Sequence, residues 1–339
     1  MTITKPQNAT LIDSISEGYV SINRRPWLLL APIVLNLYLW FGAPLSLGPL
    51  IGSVIDAVRS SQPAAQQGSL QVLYDQFLAS GGVDLRQQLA VLNAIPTLRM
   101  YVVGPLDAES PGVPSVPEVL RPISSQRPDT IEISSFGGAL LAFLLINALA
   151  LALSSIFLSY VGAAVRREWP GISGLRRALR IALTILGSIG IMLGVGLALG
   201  LPLLFFAAVL LYLNQALGLL VVEVLFALVF WLRIYIGFYS EAIVMSEQGP
   251  LQAIHTSFNV VRRNFWGTLG FLAIALVITL GSGVIWTRLT GSTAGMIVAI
   301  VGSAYIGSGL LAARMAFFRE RLRRWQSAPA QPPGLKARG

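Results

Sequence analysis

IALTILGSIGIMLGVGLALGLPLLFFAAVLLYLNQALGLLVVEVLFALVFWLRIYIGFYSEAIVM, residues 181–245, is the stretch on which the fold turns, because only Glu223, Arg233 and Glu241 in it are charged. A bilayer core needs about 20 apolar residues of helix, and lipid offers no partner to an unpaired backbone group. The stretch is therefore helical and membrane-embedded, and it has room for two long helices or three short ones. Three would export Arg262, Arg263 and the RERLRR run of 319–324, against the tendency of arginines to stay cytoplasmic. Two helices keep those arginines inside. Pro202 then kinks or bounds the first helix, and Asn214 and Gln215 mark the turn.

Working outward, further apolar runs cover 26–55, which follows Arg24 and Arg25, and 136–165, which ends at Arg166 and Arg167. Two more lie beyond Trp266 and over 293–318, separated by TRLTGST. The reading is an all-α polytopic bundle of about six spans, integral to a cytoplasmic (inner) membrane, with both termini cytoplasmic. Five segments result: a cytoplasmic amphipathic helix in 1–25, the first span over 26–55, an extracytoplasmic insert over 56–135, a five-span bundle over 136–318 that includes an interfacial helix at 250–263, and a basic cytoplasmic tail over 319–339.

Composition excludes whole classes of function. Of the 339 residues 55% are hydrophobic and 12% charged, with a mean hydropathy of +0.71, whereas about a quarter of a soluble domain is charged. The 24 Lys and Arg outnumber the 15 Asp and Glu, but they sit beside apolar runs, where they set orientation rather than bind nucleic acid. With no cysteine and one histidine, thiolate metal sites, cysteine nucleophiles and paired-histidine zinc sites drop out. No Walker loop, Gly-x-Ser-x-Gly elbow or H-E-x-x-H occurs, so the sequence names no catalytic, cofactor or metal residue.

The insert is the one acidic region, with 8 Asp and Glu against 5 Arg. Leu70, Leu73 and Phe77, then Leu85, Leu89 and Leu92, recur at helical spacing, which predicts two amphipathic helices in a small external cap. Six prolines between 105 and 128 predict an extended linker back to the membrane.

SEGYVSINRRPW, 16–27, aligns without gaps on HTSFNVVRRNFW, 255–266. Tyr19 matches Phe258, Ile22 matches Val261, and an arginine pair closely precedes a tryptophan in both. Apolar stripes at Leu11, Ile15, Tyr19 and Ile22, and at Leu251, Ile254, Phe258 and Val261, predict two helices lying in the cytoplasmic interface. Arg24, Arg25, Arg262 and Arg263 are then candidate contacts for anionic lipid of the cytoplasmic leaflet.

EQGPLQAIHTSFNVVRRNFW, 247–266, resembles the E-x-G-P-L-x-A-x-x-x-S-(aromatic)-x-x-x-R-x-N-(aromatic)-W element of the membrane domain of bacterial glycerophosphodiester phosphodiesterases and of the uncharacterised YciC-like six-helix membrane proteins. Glu247, Gly249, Pro250, Leu251, Ala253, Ser257, Arg262, Asn264, Phe265 and Trp266 occupy the matching positions. The resemblance implies that six-helix architecture without the phosphodiesterase catalytic domain.

Arg233 falls midway along its run, where an unpaired charge costs at least about 2.5 kcal/mol. Glu223 and Glu241 are its nearest charged neighbours in sequence, and the three form a candidate intramembrane polar site. Two readings follow. The first is a non-enzymatic membrane protein that organises or assists other membrane components, with a membrane-protein partner as well as lipid. The alternative is a transporter-like conduit in which the three charges line a path.

Overall fold

The computed structural model describes residues 10–60, 84–86, 93–98, 101, 130–169, 171–290 and 292–327. Gln67, Ser115, most of the expected external cap, the proline-rich linker and the end of the basic tail lie outside the described residues. The fold is all-α, and the chain is an integral membrane protein: five helical segments are long and apolar enough to cross a bilayer. They are Phe136–Arg166, Ser173–Leu213, Gln215–Ser246, Phe265–Leu289 and Thr293–Ser327.

In chain order the helices are α1 (Leu11–Asn23), a 3-10 turn (Pro26–Leu29), α2 (Leu30–Phe41), α3 (Gly48–Ser60), α4 (Phe136–Arg166), α5 (Ser173–Leu213), α6 (Gln215–Ile236), α7 (Tyr239–Ser246), α8 (Pro250–Arg263), α9 (Phe265–Leu289) and α10 (Thr293–Ser327). Two-residue strands, β1 (Leu45–Ser46) and β2 (Ile131–Glu132), pair in parallel. The turn expected at Asn214 is there: its side chain accepts from the N–H groups of Ala216 and Leu217 and starts α6. Pro202 lies inside α5 without ending it.

The first apolar run departs from the expectation of one helix over 26–55. It splits at 42–47, between α2 and α3. Gly42 caps α2 in an extended conformation, and Pro44 bars Ala43 from the helical region. Pro26–Phe41 is thus a short apolar helix.

Two compact units emerge. One is built from residues up to 24, 161–274 and from 309 onward. In it α1 begins with a capping box, the Thr10 N–H reaching Asp13 Oδ2 at 2.7 Å and the Asp13 N–H reaching Thr10 Oγ1 at 3.2 Å. The Thr10 N–H and, at 2.8 Å, the Thr10 hydroxyl both donate to the Asp13 carboxylate and hold it below its usual range. Gly18 meets the backbone of Ala313 so closely that a Cβ has no room, and Gly309 does the same against the ring of Tyr19. Ser14, Gly18, Ser21 and Ile22 form the buried face of α1. The expected apolar stripe therefore lies against protein: Leu11, Ile15 and Tyr19 are half-buried and Ile22 is buried.

The other unit holds residues 25–160 and 275–308. Its core is Leu98, Tyr101, Trp286, Met296, Ala299 and Ile300. Leu98 and Tyr101 belong to the insert, so these described pieces of it are core rather than an outlying cap. Asn36 on α2 fixes one of them, donating to the Pro96 carbonyl at 3.3 Å and accepting the Leu98 N–H at 2.7 Å. Ser154 on α4 fixes another, accepting the Ala94 N–H at 2.9 Å and donating to Asn93 Oδ1 at 2.9 Å.

Candidate functional site

The run that reads as one span, 215–246, is two helices with a break at Gly237 and Phe238. A break leaves carbonyl and N–H groups without helical partners, and in a membrane each must be satisfied by protein. Here other helices supply the partners. The Ser257 hydroxyl on α8 donates to the Tyr235 carbonyl at 3.0 Å and accepts the Phe238 N–H at 3.1 Å. Arg314 on α10 donates from Nη2 to the Gly237 carbonyl at 2.7 Å, and its guanidinium stands 4.9 Å from the Phe238 ring centroid.

Arg314 is neutralised by Glu241 on α7, Nε to Oε1 at 2.6 Å. The other carboxylate oxygen accepts the Ser240 hydroxyl at 2.9 Å. Glu241 is 1% exposed and Arg314 33%. The Tyr235 and Gly237 carbonyls and the Phe238 N–H are thereby engaged, and the cluster acts as a clasp around the break.

The helix α8 is held in place by its own start and end. Glu247 takes a left-handed conformation, φ 51°, and its carboxylate pairs with Arg177 Nε at 2.8 Å and Arg180 Nη1 at 3.6 Å. Gly249 is the N-cap and Pro250 opens the helix, which ends where Asn264 donates to the Val260 carbonyl at 3.0 Å. Ala253, Thr256, Ser257, Val260 and Val261 face protein. Ile254 and Phe258 are half-buried, with the Phe258 ring 5.1 Å from that of Tyr235.

Nearby, Glu168 accepts from Arg166 Nε at 3.0 Å and lies 3.4 Å from Arg177 Nη1. Partial burial works against its charge, but the bond and charge of Arg166, then those of Arg177, outweigh that and hold the carboxyl below its usual range.

The three charges singled out from sequence are not brought together. Glu241 belongs to the clasp, whereas Glu223 and Arg233 are exposed on α6 and make no hydrogen bond or ion pair among the described residues. Arg233 stands near the middle of the span 215–246, in the last turn of α6 and four residues before the break. Of the four arginines assigned to lipid, Arg24, Arg262 and Arg263 are exposed and Arg25 is half-buried. Arg314 was overlooked, although it is the one charge in the apolar run 293–318.

A second clasp of the same kind, also unforeseen, closes α2 in the other unit. Arg86 donates from Nη1 to the carbonyls of Gly42 at 2.6 Å and Tyr38 at 3.2 Å and lies 5.6 Å from the Tyr38 ring centroid. Asp84 neutralises it at 2.8 Å, with both side chains buried, and also accepts the Leu45 N–H at 3.1 Å.

Among the described residues no group of three or more His, Cys, Asp or Glu is placed to hold a metal ion. Compared with known proteins, the chain matches no family model, no curated protein and no solved structure.

Proposed function

We propose that this is a non-enzymatic protein of the cytoplasmic membrane that organises or assists other membrane components, with both termini cytoplasmic. The observation that carries the reading is the α5–α6 hairpin. The most apolar window of each arm is only 6% buried, against 61% for α10. Phe205 and Phe226, one on each arm, are both 73% exposed. The surface of these two spans is thus free for lipid or for packing against the helices of another membrane protein.

The clasps support the same reading, since their charges are spent on holding the backbone. Glu223 and Arg233 are exposed and Glu241 is bound to Arg314, which favours this reading over a conduit lined by the three charges. The resemblance of 247–266 to the membrane domain of the YciC-like proteins implies the same six-helix architecture. Arg24, Arg25, Arg262 and Arg263 contribute attraction to anionic lipid, roughly 1 kcal/mol each close to the surface.

The test is a photo-crosslinking residue at Phe205, Phe226 or, as a control, Leu141 on α4, which is 58% exposed. In native membranes the two hairpin sites should yield discrete protein adducts and Leu141 only lipid. Lipid adducts alone from all three sites overturn the reading. Orientation is checked on the same cysteine-free chain with single cysteines. Gly171, Gln252 and Gln326 should label from the cytoplasmic face, and Gln67 and Ser115 from the opposite face.

A further inference from the structure

Where α8 gives way to α9, positive groups converge, and among the described residues Arg262, Arg263 and Arg321 form no ion pair. Arg262 and Arg263 close α8 and are exposed, the guanidinium of Arg263 lying 5.2 Å from the Trp325 ring centroid. Arg321 on α10 lies over Phe317 at 5.1 Å. Its Nη2 is 3.7 Å from where a Cβ on Gly267 would stand, so it faces the first turn of α9. The leading N–H groups of that turn, at Phe265, Trp266 and Gly267, precede the first bond of the helix, from the Thr268 N–H to the Asn264 carbonyl at 2.8 Å.

The Nε of Arg321 is buried in this corner and has no hydrogen-bond partner among the described residues. The adjacent carboxylate on α10, Glu320, is taken by Arg324 at 2.8 Å. A guanidinium set against the positive end of a helix is repulsive by itself. An anion between the two reverses the sign of both interactions, and phosphate matches a guanidinium fork and a helix N-terminus alike.

We propose that Arg321, Arg263 and the first turn of α9 seat the phosphate of an anionic lipid headgroup. A lipid source is favoured because the corner lies where exposed arginines meet the apolar surface of α9. Trp266, 79% exposed there, is the kind of residue that sits at headgroup level. The proposal rests on the reading above that this end of the protein meets anionic lipid, and narrows it from spread attraction to one seat.

The full chain, purified in a neutral detergent, is melted with added phosphatidylglycerol, phosphatidylcholine or inorganic phosphate at matched concentration. Phosphatidylglycerol should raise the wild-type Tm by several degrees and the other two by less than half as much. Arg321→Gln should lose most of the rise, while Arg323→Gln, an exposed neighbour, keeps most of it. Should Arg321→Gln not fold, Arg263→Gln decides in the same way. A rise kept by the Arg321 or Arg263 variant, an equal loss in Arg323→Gln, or a full rise with inorganic phosphate overturns the seat. Absence of any rise in the wild type sinks the broader lipid reading with it.

Discussion

The clasp at Gly42 and the clasp at Gly237 solve one problem with the same parts. In each, a helix stops among apolar residues, an arginine donates to the carbonyl of the glycine at its end, and an aromatic ring lies under the guanidinium. A carboxylate then neutralises the arginine. They differ in where the partners come from. Asp84 and Arg86 are two residues apart, whereas Glu241 and Arg314 are separated by 73. A pair that is local in sequence forms with its own segment and docks as a neutral unit. The distant pair forms only when separate helices have packed, so it reports on tertiary assembly. Neither pair is evidence of high stability, because desolvating two charges costs about as much as their attraction returns. What they supply is closure of broken backbone in lipid.

The comparison is broken most severely by Arg86→Met. Both partners are buried, and the change strands the Asp84 charge and the Gly42 carbonyl at once, so a loss of about 3–5 kcal/mol is expected in detergent unfolding. Arg314→Met should cost less, about 2–3 kcal/mol, because that arginine is one-third exposed and water takes part of its place. Adding Glu241→Leu to Arg314→Met should restore part of the loss, and a double variant less stable than the single one contradicts the pairing.

Ser257→Ala removes a hydroxyl that serves the Tyr235 carbonyl and the Phe238 N–H, for a loss of about 1–3 kcal/mol. It should leave the α2 clasp untouched, which hydrogen exchange at Gly42 and Leu45 checks. Arg233→Met and Glu223→Leu, outside both clasps, should each lie within about 0.5 kcal/mol of wild type. A large loss in either shows that the exposed charges of α6 have a structural partner after all. Smallest is the effect of acid through Glu168. Its folded-state pKa is depressed, so its contribution is present above the unfolded value and fades as pH falls through the folded one. Glu168→Gln should therefore lower stability slightly at neutral pH, where the contribution is present, and flatten the acid side of the profile, so that variant and wild type converge once the carboxyl is protonated.

Much of the architecture was legible because lipid imposes long apolar helices and a single period. The turn at Asn214 and the limits of α8 at Pro250 and Arg263 follow from side chains that cap, start or stop a helix locally. The breaks at 42–47 and at Gly237 were not foreseen, since an apolar run reads the same whether or not it is continuous. At the first, Gly42 and Pro44 carried a local signal; at the second, the break depends on partners 19 or more residues away. The site was legible only in part for the same reason. Sequence proximity grouped Glu241 with Arg233, whereas packing gave it to Arg314, and periodicity alone did not reveal whether the stripe of α1 faced lipid or protein.

The span of 73 residues between Glu241 and Arg314 also has a meaning in time. A ribosome adds roughly 5–20 residues each second, so Glu241 emerges several seconds before its partner exists. During that interval the break at Gly237 is open and a carboxylate waits in the membrane with no cation of its own. A nascent chain that stalls before α10 keeps that defect permanently. The clasp thus marks the arrival of α10, and a copy without that helix keeps a carboxylate in the membrane with no cation of its own.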